Sequence, residues 1–73
     1  MSEVPTAWPQ PDGTPLACRE KLKMLAENHT ELEQVMRDTF DDAVLMGVDE
    51  RAMRDILTGM VAALRSPKRG AGA

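Results

Sequence analysis

Between residues 16 and 47 the apolar residues recur at the spacing of a helix. With Cys18 as origin and 100° per residue, Cys18, Leu22, Leu25, His29, Leu32, Met36, Phe40, Ala43 and Gly47 fall within about 40° of one line. A second line beside it carries Ala17, Met24, Val35 and Met46, interrupted by Asn28 and Asp42. The pattern predicts one amphipathic helix over residues 15–46, roughly 45 Å long. Thr14-Pro15 marks its start: threonine can cap the free N–H groups, and proline suits the first helical position. The repeat drifts toward eleven-residue steps (Cys18, His29, Phe40), which favours a nearly straight helix.

Gly47 is placed to take the left-handed conformation that ends a helix. Asp49 can cap the next one, with Val48 stapling against Met53. This second helix is predicted over residues 49–65, until Ser66-Pro67 stops it. Its apolar residues Ala52, Met53, Ile56, Leu57, Met60, Val61, Ala63 and Leu64 cover about half the circumference, more than one neighbouring helix can bury. Gly59 lies off this arc and costs about 1 kcal/mol of helix propensity relative to alanine. So short a connection makes the two helices an antiparallel hairpin over residues 15–66. Residues 1–14, with Pro5, Pro9, Pro11 and the turn signal Asp12-Gly13, read as an extended Pro-rich arm. Residues 67–73 read as a flexible tail.

The predicted helices differ in length. The second, about 25 Å long, covers only the C-terminal half of the first. Leu22, Leu25, His29 and Leu32 are therefore expected to stay bare in a monomer. The expected fold class is all-α, a helical hairpin that pairs with a second copy as a homodimeric four-helix bundle. Chain length supports this: at 73 residues and 8.0 kDa a lone core is marginal. One cysteine excludes an internal disulfide, and one Cys with one His is a poor tetrahedral metal set.

Charge narrows the classes of partner. The net charge is −3, the long helix is acidic, and the two cations Lys68 and Arg69 stand apart in the tail. Nucleic acid is disfavoured as a partner, because phosphate neutralisation supplies most of that affinity. The N-terminus lacks an apolar leader, and the longest apolar run, Ala43 to Met46, is too short for a membrane span. A cytoplasmic location with a reduced thiol is expected; the sequon Asn28-His29-Thr30 then has no use.

Three residues could carry chemistry. Cys18, near a helix N-terminus and beside Arg19 and Lys21, could be a redox-active thiol, although its place on the stripe predicts a buried, inert one. His29 is expected to be a polar residue in a core-like position that fixes register, with a pH-sensitive contact or a metal ligand beside Glu33 as alternatives. Trp8 is expected to anchor the arm on an apolar groove of its own chain or of a second copy, or else to dock on another protein. The acids read as a solvated face with surface pairs such as Glu50–Arg54. Ala26 stands where a di-iron bundle would need glutamate three residues before His29.

No enzyme is expected: there is no phosphate loop, catalytic triad or paired cysteine, and no catalytic residue, cofactor or metal is assigned. The sequence points to a small interaction module, an accessory subunit, assembly factor or adaptor. It would bind itself or a larger protein through Trp8, Leu22, Leu25, His29, Leu32, Met36, Ile56 and Met60. The alternatives are a thiol- or metal-responsive regulator using Cys18 and His29 and, less favoured, a nucleic-acid-binding regulator.

Overall fold

The structure, a computed structural model, describes residues 3–68. Among these residues the regular elements are two helices, the long α1 (Arg19–Leu45) and the shorter α2 (Glu50–Ala62), with no strand. Chain contacts divide it after Asp38 into two units, so that α1 runs through both.

In the first unit, residues 8–16 form a tight turn. Gly13 N–H donates to the Gln10 carbonyl at 2.8 Å, with Pro11 at the second turn position and Gly13 at φ +91°. A proline-led turn followed by a left-handed glycine is a standard three-residue loop between antiparallel segments. Gln10 N–H to Thr14 O and Leu16 N–H to Trp8 O, both 2.8 Å, flank an isolated antiparallel bridge between Pro9 and Pro15. Two prolines can face each other here because this pair is the non-hydrogen-bonded one, needing no donor from either.

That turn moves the start of α1. Thr14 gives its hydroxyl and its N–H to Asp12 Oδ1, at 2.7 and 2.9 Å, so it does not cap a helix. Pro15 is held opposite Pro9. The helix begins instead at Arg19, and the Cys18 carbonyl accepts its first bond, from Leu22 N–H at 2.9 Å. The Thr14 hydroxyl and then its N–H hold the exposed Asp12 carboxyl below its ordinary range. The linkage follows from that sign: these bonds persist as pH falls through the usual aspartate range and are lost only below it.

In the second unit, α1 ends with Gly47 N–H bonded to Val44 O at 3.0 Å and Val48 N–H to Ala43 O at 2.9 Å, Gly47 being at φ +110°. This nested pair is a Schellman cap, which satisfies carbonyls the helix end would otherwise leave free. Asp49 then starts α2, its carboxylate accepting Ala52 N–H at 2.9 Å. Ala43 and Met53 are the buried apolar residues of the described chain, with Phe40, Val44 and Leu57 half-buried. The Arg54 guanidinium lies 4.8 Å from the centroid of Phe40, a cation–π contact; the sequence had paired Arg54 with Glu50.

α2 stops at Ala62, short of the Arg65 expected. Pro67 disfavours helical geometry at Ser66, and Leu64 is 78% exposed, so no burial holds a further turn in place. The tail assigned to residues 67–73 lies outside the described residues from 69 onward.

Gly47→Ala should lower stability by about 1–2 kcal/mol, the cost of a left-handed conformation for an L residue. A methyl group there meets nothing within 4 Å, so the loss is backbone strain alone. Asp49→Ala should cost about 1 kcal/mol through the lost cap. Thermal melts followed by circular dichroism check both: each should lower Tm by several degrees, as about 1 kcal/mol does in a domain this small.

Candidate functional site

The Trp8 and His29 rings meet edge to face, with centroids 6.3 Å apart and planes at 77°. The Leu16–Trp8 bond fixes the backbone at Trp8, and the Asp12–Thr14 bonds brace the turn behind it. On α1 the half-buried residues of this unit are Leu22, Leu25, Ala26, His29 and Glu33. Leu22, Leu25 and His29 are thus partly covered inside a single chain, where the sequence left them bare. At His29 the cover includes Trp8, which the N-terminal segment brings there after turning back at Gly13. His29 Nδ1 is buried without a hydrogen-bond partner.

Other large apolar residues of α1 in this unit are exposed. Leu32 is 64% exposed, Val35 62% and Met24 63%, with Met36 at 41%. In the second unit Ile56 and Met60 are exposed too, as are Val61 and Leu64. Met53 and Leu57 turn one side of α2 inward; beyond them the helix lacks cover among the described residues. The breadth of the α2 apolar arc signalled this surplus. Its partition along α1 had no such signal, because it depends on where the N-terminal segment lands.

Cys18 is exposed, not buried. The sequence placed it a full turn inside the helix; with the start at Arg19 it sits at the cap position, outside the packed stripe. It lies about 16 Å of helix rise from His29, so α1 keeps the two apart. Among the described residues no three His, Cys, Asp or Glu side chains form a group able to hold a metal ion. No helix there is long and apolar enough to cross a membrane.

The described residues thus leave apolar surface that the chain itself does not bury. His29→Ala should remove the ring contact and shift Trp8 emission to the red, since Trp8 is the sole tryptophan in a chain without tyrosine. Loss of the contact should cost about 0.5–1.5 kcal/mol in a chemical melt. Cys18 should react fully with a thiol reagent in the native protein, whereas a slow reaction gated by unfolding would contradict its exposed placement.

No protein-family model, curated protein or solved structure matches this chain.

Proposed function

We propose that this protein is a non-catalytic interaction module, an accessory subunit, assembly factor or adaptor, that works through its apolar helix faces. In this reading the helices form an antiparallel hairpin, two copies associate as a four-helix bundle, and the Trp8-bearing arm packs on α1. One observation carries it. Two side chains, Ala43 and Met53, are buried among the described residues, while eleven large apolar ones are exposed. Each large apolar side chain brought from water to full burial contributes roughly 1.5–3 kcal/mol. A core of one such residue, Met53, and one alanine is small against the entropy of ordering two helices. A second chain is the simplest cover, and Met24, Met36, Met46 and Met60 give the exposed faces the adaptability that suits such contacts.

A thiol-responsive regulator is the second reading, favoured by the exposure of Cys18 at the start of α1. Cys18→Ser separates the two, leaving association intact under the first reading and abolishing the response under the second.

Mass by light scattering and helicity by circular dichroism, followed over a dilution series, test the main reading. Dimer mass and helicity should fall together on dilution. A fully helical monomer at every concentration overturns the self-associating bundle.

A further inference from the structure

Within the first unit, α1 carries an uncovered strip at heptad spacing. Leu25, Asn28, Leu32 and Val35 alternate at three and four residues, the spacing that receives one neighbouring helix. Leu32 and Val35 are 64% and 62% exposed, and Met24 beside them 63%. Leu25 is half-buried and Asn28 exposed. Asn28 sets one polar side chain among the apolar ones, as residues that fix register between paired helices do.

One edge of this strip is acidic. At 100° per residue Glu20, Glu27, Glu31 and Asp38 fall within about 40° of one another, on the side of Met24 and Val35. All four are exposed. Among the described residues one of them accepts a side-chain hydrogen bond, Asp38 from Gln34 Nε2 at 3.0 Å. Glu27 and Glu31, at i and i+4, repel each other along the row. Arg19, Lys23 and Arg37 lie further round the helix than the row, and Lys21 stands one turn before Leu25 at the N-terminal end of the strip. The opposite edge holds Leu22, His29 and Met36, with Trp8 seated on His29.

Those charges choose the occupant. Residues flanking the seam of two paired helices meet one another, and opposite charges there decide which helices pair. A second copy laid antiparallel on this strip would set Glu31 and Asp38 against the same acids of its mate. Laid parallel, it would set them against the edge of Leu22, His29 and Met36, which offers no lysine or arginine. Anionic lipid and nucleic acid are repelled by the same row. We propose that the strip of Met24, Leu32 and Val35 is the docking site for an amphipathic helix of a different protein, one with lysine or arginine flanking its apolar residues. Such docking rests on the chain being an interaction module, as read above, and does not require that two copies associate.

Two synthetic helical peptides of three heptads, alike in their leucine seam, are the probes; one carries lysine at the flanking positions and the other glutamate. Titrated calorimetrically into the full chain, the lysine peptide should bind about tenfold tighter than the glutamate peptide. Glu31→Lys with Asp38→Lys should reverse that preference. Asp41→Lys with Asp55→Lys, the same change in net charge placed off the strip, should preserve it. Leu32→Asp should weaken the lysine peptide about tenfold with helicity unchanged, because that side chain is exposed. An equal effect of the two charge pairs, or binding that Leu32→Asp leaves intact, would overturn the docking site and leave self-association untouched. A wild-type dimer that Leu32→Asp dissolves would give the strip to a second copy, overturning the basic helix and supporting the bundle. A helical monomer that binds the peptides with the expected preferences would uphold the docking site and remove the dimer.

Discussion

Ala43 and Met53 are the two apolar side chains that lose nearly all contact with solvent among the described residues, and they do so beside the junction between the helices. The scarcity of burial shapes everything else. Gly47 fixes the junction by backbone bonds and Asp49 by its carboxylate, where side-chain packing is scarce. Phe40 completes this small cluster by taking the Arg54 guanidinium over its ring. Each device contributes on the order of 1 kcal/mol, so none is redundant in a domain with marginal stability.

The first unit solves the same shortage differently. Its N-terminal segment has no apolar periodicity and so cannot form a helix that buries a face. Four prolines remove donors, yet the segment holds a defined turn, because Asp12, Thr14, Gln10 and Gly13 supply one. Once turned, it sets Trp8 against His29. A proline-rich stretch thus contributes tertiary contact without regular secondary structure. Its single large aromatic ring does work that would otherwise need a helix.

What remains uncovered is ordered in its own way. Leu32 and Val35 on α1, and Ile56 and Met60 on α2, keep helical spacing while exposed. Periodicity describes what a helix can bury, not what its own chain supplies to bury it. An apolar face that outruns its neighbours within one chain is the ordinary mark of an associating surface.

The two helices, their approximate lengths and the breadth of the second apolar arc were legible in the residues alone. They follow from local rules: a 3.6-residue repeat, a glycine past the end and an aspartate at a start. Three matters waited for the tertiary structure. α1 begins at Arg19 because Asp12 captures Thr14 and Pro9 faces Pro15, a competition between two local motifs that propensity cannot rank. Cys18 is exposed because that later start moves it off the packed stripe. His29 is half-buried against Trp8 while Leu32 is exposed, because the place of Trp8 is set by where a turn folds in space. Sequence period fixes which residues share a face; the path of the chain decides which part of that face finds a partner within the molecule.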